Sequence, residues 1–109
     1  MFGLQNTVNG SGLEANLLEL VKMRASQING CAYCLDMHSK DARAAGETEQ
    51  RLYLLDAWRE TSLYSERERA ALEWTEALTL IGEGHVPDVV YAAVREHFSE
   101  EEIVKLALP

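Results

Sequence analysis

The chain has 109 residues, which suits one domain. Hydrophobic residues make up 47% and charged residues 26%, the composition of an ordinary globular protein with a modest core. A net charge of −8 and an isoelectric point near 4.8 argue against nucleic acid or an anionic membrane as a partner through a basic face, and fit a solvated acidic surface.

No stretch approaches the roughly 18 apolar residues of a membrane span. Met1 to Gly12 carries no positive charge and no apolar run, so a signal peptide is not expected and the cytoplasm is the expected location. Residues 1–12, with Asn6-Thr-Val-Asn-Gly-Ser-Gly12, read as a flexible lead-in, and residues 13–109 as one domain. Two cysteines three apart cannot form a secreted disulfide framework. In a reducing compartment so close a pair is more often catalytic or metal-binding than structural.

Turn signals divide the chain into about six helices, and no segment alternates with period two, so the expected fold is all-α. The first helix spans Leu13 to Ile28, with Leu17, Val21, Ala25 and Ile28 on one stripe. Asn29-Gly30 ends it, since both residues tolerate a left-handed stop. A second helix runs from about Cys31 to Ala45, with Gly46 in the position after its end. A third runs from the N-cap Thr48 to about Arg59. The fourth opens on the capping box Ser65-Glu-Arg-Glu68 and reaches Ile81, where Gly82 and Gly84 break the pattern. Pro87 suits the first turn of a fifth helix that ends near Phe98. Ser99-Glu-Glu-Glu102 is a second capping box, and its helix stops in mid-pattern at Pro109. So short a helix is weak alone, which implies a frayed end or a truncated element.

The chemistry concentrates in Arg24-Ala-Ser-Gln-Ile-Asn-Gly-Cys-Ala-Tyr-Cys-Leu-Asp-Met-His38. If the helix begins at Cys31, then Cys31, Cys34 and His38 share one face. Cys31 lies at the helix start, where the dipole favours thiolate. A thiolate is the nucleophile of peroxide reduction and of disulfide exchange. A second thiol can capture the sulfenic acid as a disulfide, and an imidazole can carry the proton near neutral pH. Three other readings stand beside this one. The cysteines are two buried small hydrophobes; or Cys31, Cys34 and His38 hold a metal with Glu19 as fourth ligand; or His38 is an ordinary helix-face residue. Glu19 also sits three residues before Lys22, the spacing of a surface ion pair. Tyr33, Met37, Trp58 and Trp74 read as core residues first and as pocket walls second.

Glu19, eleven residues, then Cys31-x-x-Cys34-x-x-x-His38 resembles the signature of the alkylhydroperoxidase D core in the carboxymuconolactone decarboxylase superfamily. Gly46-Glu-Thr-Glu-Gln-Arg-Leu52 and Trp58-Arg-Glu60 fit the same core, and the likeness runs from Leu13 to about Leu80. The resemblance implies an all-α bundle assembled as a dimer, trimer or hexamer. It implies thiol-dependent reduction of hydroperoxides by a Cys31–Cys34 dithiol cycle, fed by a thiol or dithiol reductant and needing no cofactor. By the family pattern Cys34 meets the peroxide with help from His38, Cys31 resolves and exchanges, and Glu19 joins a proton relay. The dipole argument favours Cys31 as the low-pKa thiol instead, and the His38 spacing favours Cys34. Tyr33 stands where the best-studied form of the motif has a second His, and a phenol is no base near neutral pH. A further helix found in related members after Glu101-Glu-Ile-Val-Lys105 is missing. The same fold also hosts lactone decarboxylases, whose members generally lack the paired cysteines, and a non-catalytic scaffold is the remaining alternative.

Overall fold

The structure, a computed structural model, describes residues 14–80 and 87–107. Helix α1 spans Ala15–Asn29, α2 Ala32–Ala44 and α3 Glu49–Tyr53. A 3-10 helix follows at Leu55–Glu60, then α4 at Glu66–Thr79, α5 at Asp88–Arg95 and α6 at Glu100–Leu106. There is no strand among the described residues. The expected lead-in at 1–12 lies outside them, as do Ile81, Gly82, Gly84, Leu108 and Pro109.

Helix ends fall where the side chains can satisfy free backbone groups. Ser65 and Ser99 form complete capping boxes with Glu68 and Glu102. Thr48 caps α3 by accepting from the Arg51 N–H. Gly46, at φ 101°, takes the left-handed position after α2. Pro87 is the N-cap of α5 rather than a residue of its first turn.

The third expected helix departs from expectation. It breaks after Tyr53 and continues as a 3-10 helix with a non-helical residue, Ala57, inside. The reason lies in the spacing of its apolar residues. Leu52, Leu55 and Trp58 are all buried, and a repeat of three matches the 3-10 turn, not the α turn.

Helices α1 and α4 form the spine. Leu17 and Val21 of α1 join Ala70, Ala71 and Trp74 of α4 with Val94, Phe98, Ile103 and Leu106 in one core. Leu20 and Met23 join Leu72 with Ala42, Leu52, Leu55, Trp58 and Tyr64 in the other. The apolar stripe of α1 is therefore wider than its sequence suggested, and Ala25 and Ile28 on the expected stripe are only half-buried. Each fully buried leucine adds about 1.5–3 kcal/mol.

Charged groups close the gaps between elements. Glu76 of α4 accepts from Arg24 Nε at 2.8 Å, Trp58 Nε1 at 2.8 Å and Arg59 Nη1 at 2.5 Å. Burial opposes its ionisation, but the hydrogen bonds from Arg59, Trp58 and Arg24 outweigh it and hold the carboxyl below its usual range. Arg51 forks onto Glu68 at 2.7 and 3.0 Å and reaches Glu47 at 2.6 Å. Burial likewise opposes charge on Glu68, and Arg51 with the Ser65 backbone overcomes it.

Both carboxyls are lowered in the folded state, so their contribution is complete above the ordinary carboxylate value of about 4.3 and disappears as pH falls through the folded values. Glu76→Gln should cost about 2–3 kcal/mol at pH 7, less than a fully buried pair because Arg59 is half exposed. Urea unfolding at pH 7 and at pH 3.5 should show the gap between wild type and variant narrowing in acid. A gap that stays constant would refute the ionic part of this account.

Candidate functional site

The site is built where α1 turns into α2. Gly30 adopts φ 69° and ψ 32°, a region glycine enters without penalty. Its N–H reaches Gln27 O at 3.3 Å, and the Cys31 N–H reaches Ser26 O at 3.2 Å, as in a Schellman stop. The backbone of Cys31 is therefore fixed by the end of the preceding helix.

Cys31 is not the first residue of α2 but its N-cap, with extended backbone. Its Sγ accepts the Cys34 N–H at 3.2 Å, the place a serine or aspartate oxygen takes in most caps. The two cysteines are joined as a disulfide with Cα atoms 5.3 Å apart, inside the range of about 4.4–6.8 Å that a disulfide spans. Both are partly accessible, so they are not inert core residues. In this oxidised form the two sulfurs are bonded to each other, so the thiolates that the metal set considered from sequence requires exist only after reduction.

His38 lies one turn after Cys34 on α2, and Glu19 comes from α1. His38 Nδ1 lies 3.1 Å from Glu19 Oε1, and both side chains are 17% exposed. A carboxylate only accepts, so in the neutral imidazole this contact favours the tautomer with its proton on Nδ1 and its lone pair on Nε2. The other oxygen of Glu19 faces Lys22 at 3.7 Å. Glu19 thus makes both of its alternative contacts, one with each oxygen.

The remaining candidates separate. Trp58 and Trp74 are core residues. Tyr33 is 75% and Met37 37% exposed, so the expectation of core fails for both. They are four apart on α2, on one side of that helix. A cleft of about 370 Å³ lies between the 3-10 helix, α4 and α5, lined in part by Trp58, Arg59, Arg69 and His97. Neither cysteine lines it. Asp41 is the residue the sequence reading missed. Its carboxylate lies close to both Glu19 and His38, and the signal was its place three residues after His38.

The family model described as the carboxymuconolactone decarboxylase family matches residues 2–77, which include all four candidate residues. The chain is 50% identical over 108 residues to the uncharacterized protein YdfG of Bacillus subtilis, covering 99% of this chain and 74% of that one. It is 32% identical over 97 residues to the uncharacterized protein YnjA of Escherichia coli, covering 88% of this chain and 52% of that one. A crystal structure of a protein of unknown function from Agrobacterium tumefaciens, suggested to be the antioxidant defence protein AhpD, matches with a TM-score of 0.84 and 50% identity. That match covers 95% of this chain and 71% of the other.

Gly30→Ala should destabilise the protein by about 1–2 kcal/mol through the left-handed backbone alone, since a Cβ there meets nothing within 4 Å. Gly30→Asn should cost less, because Asn tolerates this region. Urea melts of the three proteins check the order. Equal stabilities would mean that the turn carries no conformational demand.

Proposed function

This chain belongs to the carboxymuconolactone decarboxylase family, and on that footing we propose that it is a thiol-dependent peroxidase of the alkylhydroperoxidase type. One juxtaposition supports the reading. A Cys31–Cys34 disulfide at the start of α2 stands one helical turn from a histidine held by a carboxylate on the neighbouring helix.

In this cycle the reduced Cys34 gives its proton to His38 Nε2, and its thiolate attacks the outer oxygen of a hydroperoxide ROOH. The O–O bond breaks, Cys34 becomes a sulfenic acid, and the leaving alkoxide takes a proton to become ROH. Cys31 then attacks the Cys34 sulfur, expelling water and forming the disulfide. Its place at the cap suits the resolving role, since the Cys34 N–H and the helix end favour a thiolate there. A thiol or dithiol reductant restores both thiols by exchange and leaves as its own disulfide. The balance is ROOH plus two thiols giving ROH, water and one disulfide. Glu19 orients His38 and steadies the imidazolium. It meets His38 directly, so the relay needs no imidazole at Tyr33.

The reading extends to residues 13–109 as one domain, a cytoplasmic setting and a homo-oligomer. Among the described residues no helix is long and apolar enough to cross a membrane. Val89, Tyr91 and Val104 are exposed on α5 and α6, and burying such side chains against a second copy would add to a modest core.

Reduced protein should consume a small organic hydroperoxide and lose two hydrogens in intact mass, while Cys34→Ser should consume none. His38→Ala should stay folded by circular dichroism and lose about 10²–10⁴ in rate near pH 6. That loss should shrink as pH rises past the ordinary thiol value of about 8.5, where the thiol deprotonates without a base. An equal rate across pH 6–9 would make His38 a spectator. Reduced wild type that leaves the hydroperoxide untouched would end the peroxidase reading.

Light scattering at micromolar concentration should give a multiple of the 12.2 kDa chain mass. A monomer would overturn the assembly expectation.

A further inference from the structure

Asp41 takes no part in the cycle above. It lies three residues beyond His38 on the same helix, so both project to one side. It makes no side-chain hydrogen bond or ion pair among the described residues. A nitrogen of His38, a carboxylate oxygen of Glu19 and a carboxylate oxygen of Asp41 all lie within 4.8 Å of one another.

From this geometry we propose that Glu19, His38 and Asp41 form a binding site for one divalent transition-metal ion of the zinc type, and that the ion silences the dithiol beside it. The silencing half rests on the peroxidase reading; the binding half does not.

The donor set is mixed, with one imidazole nitrogen and two carboxylates. Hard ions such as calcium and magnesium prefer oxygen alone, whereas zinc and its neighbours take imidazole readily. Three protein ligands with the remaining position left to water is the arrangement of an open zinc site.

The spacing is also right. With metal–ligand bonds of about 2.1 Å, two ligand atoms on one ion stand about 3.0 Å apart in octahedral and about 3.4 Å apart in tetrahedral geometry. The His38 Nδ1 to Glu19 Oε1 separation is 3.1 Å. These two side chains therefore already hold the bite of a metal ion, with a proton where the ion would sit. Asp41 is exposed, so its side chain can swing in at little cost. Lys22 engages the other oxygen of Glu19 and leaves Oε1 to the ion.

Silencing follows from the tautomer. A neutral imidazole that gives Nδ1 to a metal keeps its one proton on Nε2. No lone pair then remains to accept the proton of Cys34, and Glu19 is drawn off the relay at the same time.

The test uses the oxidised protein, whose disulfide withdraws both sulfurs from metal binding. Zinc chloride titrated by calorimetry, without reductant, should bind at one ion per chain. Asp41→Asn and His38→Ala should each weaken binding by at least about tenfold. The double variant Cys31→Ser/Cys34→Ser should bind as wild type does. Absence of stoichiometric binding, indifference to both ligand substitutions, or loss in the double cysteine variant would each overturn the site. A second measurement adds zinc to reduced protein consuming hydroperoxide. The rate should fall and return on adding a chelator, with Asp41→Asn needing more zinc. Binding to the oxidised protein without slowing of the reduced one would remove the silencing and leave the site. The calorimetry involves no turnover, so its result stands whatever becomes of the peroxidase reading.

Discussion

The left-handed turn at Gly30 governs how the two chemical helices meet. With that residue at φ 69°, the chain leaves α1 and enters α2 within two residues, and the helices pack side by side. Glu19, eleven residues before the turn, is thereby brought level with His38, eight residues after it. A longer connection would allow the same packing but would not fix the register. The Cys31 N–H is tied to Ser26, so the first cysteine inherits its position from α1 before α2 begins. Cap, disulfide and carboxylate–imidazole contact all descend from one backbone conformation.

Away from the turn, the arginines of this acidic chain tie its elements together. Each of its seven arginines makes side-chain hydrogen bonds within the molecule. Arg24, Arg51 and Arg59 bind carboxylates. Arg67 joins Glu14 to the His97 carbonyl, and Arg69 holds the Trp58 and Thr61 carbonyls. Arg43 and Arg95 bind the carbonyls of Glu47 and Phe98. The planar fork of guanidinium suits such multiple contacts better than an ammonium.

Much of this was readable in advance, and the residues show why. Asn29-Gly30, Ser65 and Ser99 act through neighbours three or four positions away, so their roles are local and the sequence displays them. The Cys31, Cys34 and His38 spacing is of the same kind. Glu19 could be singled out only through a family pattern, because its partner is 19 residues off. Glu76 was not singled out at all: its donors come from 17, 18 and 52 residues away, and no local periodicity reports such a contact. The break after Tyr53 was hidden because a spacing of three fits an α-helix almost as well as a 3-10 helix over so short a run. Tyr33 and Met37 were misjudged for another reason. Apolar side chains on a helix normally face the core, and this helix buries only Ala42 outright.

The cap of α2 is made from sulfur, and that choice has a consequence of its own. Most helix caps are chemically constant, since a serine or aspartate keeps one state throughout the life of the protein. In the proposed dithiol cycle, the atom that receives the Cys34 amide would be a disulfide sulfur in one redox state and a thiol or thiolate in the other. A negatively charged sulfur accepts that hydrogen bond more strongly than a disulfide sulfur does. Each electron pair that enters or leaves the cysteines in that cycle would therefore also tighten or relax the first turn of the helix that carries His38. The Cys34 amide becomes a reporter of oxidation state, readable by its rate of exchange with solvent deuterium. Redox chemistry and helix stability are in this way written on a single atom.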